Sequence, residues 1–176
     1  YGFVFYGGQL GSLAAGYLAV RRIGVSFPRV LDLFGVIGPI GHAIGRIGCL
    51  GAGCCHGAPT DLPWGIVFSN RDSLVPDSLL GVPLHPSQLY EAFGNLVIAA
   101  LTWKLLVRSR EGRVRPGTAF AVYVSLYGAL RFLVEFTRAD ERGGFWLGLS
   151  PAQWIALGLV AGTLALTALA RREKAA

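Results

Sequence analysis

The stretch SPAQWIALGLVAGTLALTALA, Ser150 to Ala170, runs 21 residues without one ionisable side chain. A bilayer core of about 30 Å needs about 20 helical residues, so this stretch reads as a transmembrane helix. A helix is the natural solution, because it satisfies every backbone donor and acceptor within its own segment. Working outward, Phe3–Val20 is equally free of ionisable residues and reads the same way. Three further stretches, Val30–Ile47, Ser87–Val107 and Gly117–Thr137, are long and apolar enough but carry charges. Five spans make an all-α, polytopic membrane helix bundle. The whole of residues 1–176 is expected to form a single membrane-embedded domain.

Composition supports this and removes the alternatives. Hydrophobic residues make up 53% of the 176 and charged residues only 15%, against about 25% charged in soluble proteins. Mean hydropathy is +0.52. Such a chain cannot stay solvated as a disordered one. Three cysteines are too few, and odd in number, for a disulfide-stapled mini-protein. No segment combines a basic start, a short apolar run and a small-residue cleavage site, so no signal peptide is subtracted. The sequence begins at Tyr1 and contains no methionine, so it reads as a fragment or a processed chain.

Orientation follows from the basic residues, which are retained on the cytoplasmic side. Arg21, Arg22 and Arg29 lie between spans one and two; Lys104, Arg108, Arg110, Arg113 and Arg115 lie at the joint of spans three and four; Arg171, Arg172 and Lys174 follow span five. Five spans put all three groups on one face. The expectation is a multi-pass protein of the bacterial plasma (inner) membrane with a cytoplasmic C-terminus. The net charge of +6 is accounted for by orientation, and no nucleic-acid partner is expected. The opposite face receives the one long loop, Gly48 to Pro86, with all three cysteines and two of the three histidines. Long ordered loops are usually functional, so chemistry is expected at the outer end of the bundle.

Two arginines, Arg46 and Arg131, are left inside the spans, where each costs at least about 2.5 kcal/mol and so calls for a partner or a task. On span four, Tyr123, Tyr127, Arg131, Glu135 and Arg138 recur at intervals of three and four and share a helical face. Arg131 and Glu135 are spaced to pair, which by itself is equally the pattern of a structural lock between helices. On span two, His42, Arg46 and Cys49 share a face among glycines that permit close approach of a helix or a ligand. Span three opens at His85-Pro86, with Ser87 as the expected N-cap, followed by Gln88, Glu91 and Asn95 on one face. Three polar stripes with two permanent positive charges suit a phosphate, which guanidinium grips in a bidentate fork. The residues therefore point to a site for an anionic phospholipid head group.

Three segments, in order, resemble those of the prolipoprotein diacylglyceryl transferase family. Gly45-Arg46-Ile47-Gly48-Cys49, with Gly57 following, is similar to the family's Gly-Arg-x-Gly signature. His85-Pro86-Ser87-Gln88-Leu89-Tyr90-Glu91 resembles its His-Pro-Ser-Gln-Leu-Tyr-Glu segment, and Tyr127 to Arg138 resembles its Arg-x-x-x-Glu-x-x-Arg helix. Gly7-Gly8 fits the family's His-Gly-Gly segment, with Tyr6 in the place of the histidine. The resemblance implies transfer of a diacylglyceryl group from phosphatidylglycerol to the lipobox cysteine of a prolipoprotein signal peptide. A thioether forms and glycerol phosphate leaves. It implies Arg46, Arg131 and the Tyr6 position as catalytic. Gly45, Gly57, His85, Gln88, Glu91, Tyr127, Glu135 and Arg138 are implied in substrate binding, with Arg46 among them. Glu135 and Arg138 would hold Arg131 and the head group. No cofactor and no metal are implied, and the partners are phosphatidylglycerol, the prolipoprotein and membrane lipids. Relative to the family, the sequence lacks the N-terminal helices that help enclose the lipid.

Cys49 and Cys54 stand where the signature usually has Asn and Glu. With Cys55 and His56 they form a C-x4-C-C-H cluster that fits neither zinc-ribbon nor c-type haem spacing. A disulfide from Cys49 to Cys54 or Cys55 suits an oxidising outer face; unpaired thiols, or redox or metal chemistry, are the alternatives. Two other functions therefore stay open beside the transferase: an inactive lipid-binding relative, and a membrane thiol-redox or metal protein built on these cysteines.

Overall fold

The computed structural model describes residues 14–138 and 146–172. Five helices follow one another: α1 over residues 14–22, α2 (Phe27–Ala52), α3 (Ser87–Arg110), α4 (Thr118–Glu135) and α5 (Pro151–Arg172). Four of these, α2 to α5, are long and apolar enough to cross a membrane. The first expected span lies largely outside the described residues, which include only its end within α1. Among the described residues the architecture is an all-α membrane bundle with one long connection, α2 to α3.

Glycines set how closely the helices approach. Beside Gly35 of α2 a Cβ would sit 3.0 Å from the backbone of Ala119 and Phe120, so the α2–α4 contact is backbone on backbone. Gly128 does the same for α4 against Val160 and Ala156 of α5. Small residues of this kind supply van der Waals contact where lipid leaves little hydrophobic drive between helices. Apolar side chains such as Phe93, Trp103, Leu133 and Ile155 remain exposed, as a lipid-facing surface requires.

Helix boundaries depart from the expected ones for local reasons. Helix α2 runs past Ile47 to Ala52 and stops at Gly53, whose φ of 73° no β-carbon-bearing residue adopts cheaply. Cys49 is therefore in the last helical turn and not in the loop. Ser87 does not cap α3: Pro86 occupies that position, and the Ser87 hydroxyl instead shares a 2.8 Å hydrogen bond with Thr137 beyond α4.

The connection between α2 and α3 is folded. A short antiparallel pair, β1 (Ile66–Val67) with β2 (Pro83–Leu84), closes it into a hairpin. Leu84 of β2 is fully buried. The segment after the cysteines is pinned at Gly57–Ala58: Gly57 N donates to His85 O at 2.9 Å, Ala58 N to Thr137 O at 2.8 Å, and His85 N to Ala58 O at 2.9 Å. Any β-carbon on Gly57 would collide with Thr137, His85 and Ser87. One glycine thus joins the loop to the start of α3 and the end of α4.

Candidate functional site

The polar stripes of α2, α3 and α4 meet at the end of the bundle that carries this loop. Arg46 of α2 places Nε 2.6 Å from Glu91 Oε2 on α3. Arg138, just past α4, approaches the other oxygen of Glu91 at 3.5 Å. Glu91 is fully buried, so two guanidinium groups from two elements neutralise a carboxylate that could not otherwise be kept from water. On α4, Arg131 Nη1 lies 2.6 Å from Glu135 Oε2, and Ser150 donates to Glu135 Oε1 at 2.6 Å.

Neither Arg46 Nε nor Arg131 Nη1 is aligned as a hydrogen bond despite the short distance. They are ion pairs held by charge. A guanidinium has five N–H donors in a planar fork, and each described pair engages one nitrogen.

The two arginines share neighbours on α2 and α4. His42, one turn before Arg46, stacks on Tyr127 with ring centroids 5.0 Å apart, and Tyr127 neighbours Tyr123 at 6.0 Å. His42 and Tyr127 each lie within electrostatic reach of Arg46, Glu91 and Arg131. Gly45, with Gly41 and Gly48, meets no described residue within 4 Å of a would-be β-carbon, whereas Gly35 and Gly38 pack against α4. The glycines of α2 thus divide into a packing half and an open half, and the open half is the one beside Arg46.

Around this centre the remaining expected residues serve as supports. Gln88 donates to the carbonyl of Cys54 at 2.8 Å, while its own Oε1 is buried without a hydrogen-bond partner. His85 Nδ1 lies 3.3 Å from the Tyr90 hydroxyl, which accepts from Trp64 Nε1 at 2.7 Å. Gly57 is a packing point, as described above. Tyr6 lies outside the described residues. No disulfide joins the three cysteines, and their sulfurs all lie within 4.8 Å of one another. Burial, and then hydrogen bonding and charge coupling to Cys49 and Cys55, push the Cys54 thiol up to about 11.

Spacing anticipated the Arg131–Glu135 pair. It assigned Arg138 to the same helix face, but Arg138 reaches across to α3 instead. Glu91 as the hub of two arginines was not legible, because nothing in a single sequence says which stripes face each other. Ser150, taken as the start of a span, ties Glu135 to the beginning of α5.

The sequence profile of the prolipoprotein diacylglyceryl transferase family matches residues 1–169. This chain belongs to that family. It is 37% identical over 175 residues to a phosphatidylglycerol–prolipoprotein diacylglyceryl transferase of Bordetella avium, covering 98% of this chain and 62% of the relative. The protein of that name from Clostridium tetani is 37% identical over 157 residues, 89% of this chain and 59% of the relative. That from Azoarcus sp. is 38% identical over 180 residues, 99% and 63%. The chain thus spans about three fifths of the length of these curated relatives. The resemblance of the three motifs extends over nearly the whole chain.

Proposed function

We propose that this chain carries the phosphate-binding centre of a diacylglyceryl transferase. The substrate would be phosphatidylglycerol, and the acceptor the lipobox cysteine thiol of a prolipoprotein. The observation that carries the reading is that Arg46 and Arg131, each paired to a glutamate, both act electrostatically on the contacting rings of His42 and Tyr127. Relatives bearing the transferase name match over most of the chain.

The chemistry suits such a centre. The acceptor sulfur attacks the glyceryl carbon bonded to the phosphate oxygen. A carbon–sulfur bond forms, the carbon–oxygen bond breaks, and its electron pair leaves on the phosphate. Arginines aimed at that developing charge in a water-poor site lower the barrier most. Glu91 and Glu135 keep the two guanidinium groups ionised, oriented and apart until the phosphate enters. The thiol loses its proton more readily beside two positive charges. His42, against Tyr127 and within electrostatic reach of both arginines, is the histidine best situated to receive that proton; His85 is engaged with Tyr90 and His56 with the Gly57 carbonyl.

The reading also places the cysteine loop outside the cytoplasm and the Arg110 end and C-terminus inside, in the bacterial plasma membrane. Its test is transfer of labelled diacylglycerol from phosphatidylglycerol to a lipobox peptide by the gene's full-length product in detergent. Thioether-linked peptide is expected. Lipid binding that needs both arginines, without any transfer, would instead select an inactive lipid-binding relative.

A further inference from the structure

Nothing in lipid-to-thiol transfer uses the cysteine cluster, yet the chain goes to some length to build it. Cys49 comes from the last turn of α2, and Gly53 turns the chain back in the left-handed region with its N–H on Leu50 O. Cys54 N then donates to Cys49 O at 3.1 Å, folding the next two residues over the helix end. Cys55 follows at φ 62°, one of only two non-glycine residues with positive φ among those described. A β-carbon is crowded in that region, and strain of this kind concentrates at functional positions. Gln88 of α3 holds the Cys54 carbonyl at 2.8 Å, so the turn is fixed from a second helix. The outcome is three half-buried sulfurs, all within 4.8 Å of one another.

We propose that Cys49, Cys54 and Cys55 form a binding site for one thiophilic metal cation, Zn2+ or Cu+. With metal–sulfur bonds of about 2.3 Å, two sulfurs on a tetrahedral ion stand roughly 3.8 Å apart, within the 4.8 Å envelope already present. Thiolate ligands select this class of metal over Mg2+ or Ca2+, which take oxygen. The position favours a cation as well. The carbonyls at the C-terminal end of α2 carry partial negative charge, which repels bare thiolates and attracts a metal ion. Binding replaces thiol protons by metal–sulfur bonds and releases those protons to solvent, with no change of oxidation state. The ion would clip the end of α2 to the segment that runs on through Gly57, one turn from Arg46.

The test uses the full chain purified in detergent under reductant, titrated separately with Zn2+ against a chromophoric chelator and with Cu+ against bicinchoninate. One ion retained per chain, with the three thiols shielded from alkylation, is the expected result for at least one metal. Cys54→Ser and Cys55→Ser should each weaken binding at least tenfold. The variants' helical content by circular dichroism separates ligand loss from misfolding, and Cys49→Ala serves where either serine variant fails to fold. Arg46→Lys should retain the ion whatever happens to transfer, so this site and the phosphate centre fail independently. Three freely alkylated thiols with neither metal retained would overturn the proposal. So would a chain lighter by two hydrogens in the absence of reductant that resists reduction and takes up no metal, which would mark a structural disulfide.

Discussion

Glu91 is the residue on which the centre turns. It is fully buried and faces Arg46 at 2.6 Å and Arg138 at 3.5 Å. Removing one member of a buried ion pair leaves uncompensated charge and costs about 3–5 kcal/mol. Glu91→Ala should therefore lower thermal stability in detergent markedly as well as abolish lipid transfer. Glu135→Gln keeps the shape and the contact to Ser150 and should be milder on both counts. A Glu91→Ala variant that melts with the wild type would show that the pair contributes nothing to packing. Among the cysteines, Cys54 is pushed up to about 11, so at pH 8 the metal-free thiol is protonated and a poor nucleophile. Its alkylation rate should climb as pH rises from 8 toward 11; mass mapping of iodoacetamide adducts against pH would read this. A fast, pH-independent reaction at Cys54 would contradict it.

At the scale of elements, Asp32 does what no sequence rule suggested. It is fully buried in α2, yet its carboxylate accepts from the backbone of α4: Ala119 N at 2.8 Å and Phe120 N at 3.2 Å on Oδ1, Gly117 N at 2.8 Å on Oδ2. Ser109 of α3 donates to the same Oδ2 at 3.1 Å. A side chain of one helix thus caps the start of another and ties in a third, where an anion also suits the N-terminal end of the helix dipole. Asp32→Ala would leave those buried donors without an acceptor, at about 1–3 kcal/mol. A lower melting temperature is expected, with transfer by the surviving folded protein little changed because Asp32 lies at the other end of α2 from Arg46. An unchanged melting temperature would refute the cap. Four of the five expected stretches coincide with helices long and apolar enough to cross a membrane, and the Arg131–Glu135 pair was legible from its spacing of four. Ser87 shows the limit: its sequence context reads as a cap, but Thr137, fifty residues away, offers the better partner. Glu91 and Asp32 show it again, since their partners lie on other helices and periodicity within one helix carries no record of them.

For the molecule as a whole, the charge pattern and the site agree. Arg46, Glu91, Arg131 and the cysteines gather at the end of the bundle that carries the α2–α3 loop, while Arg29, Ser109 and Arg110 gather at the other, around a cavity of about 430 Å3. Basic residues are retained in the cytoplasm, so reporter fusions at positions 112 and 176 should both report a cytoplasmic location. Extracytoplasmic signals at both would invert the bundle and put the candidate site on the wrong side of the membrane for secreted prolipoproteins.

Two arginines acting as forks on a phosphate are the core of the proposed chemistry, and charge-preserving substitution tests them directly. Arg46→Lys and Arg131→Lys each keep a positive charge but replace the planar donor pair with a point charge. Losing such a contact in a dry site costs about 2–4 kcal/mol, or roughly 10²–10³ in rate. The measurement is the rate of diacylglyceryl transfer from labelled phosphatidylglycerol to a lipobox peptide, wild type against each lysine variant, in the full-length gene product. A fall of that size in both variants is the predicted result; transfer at the wild-type rate in either would contradict the phosphate clamp.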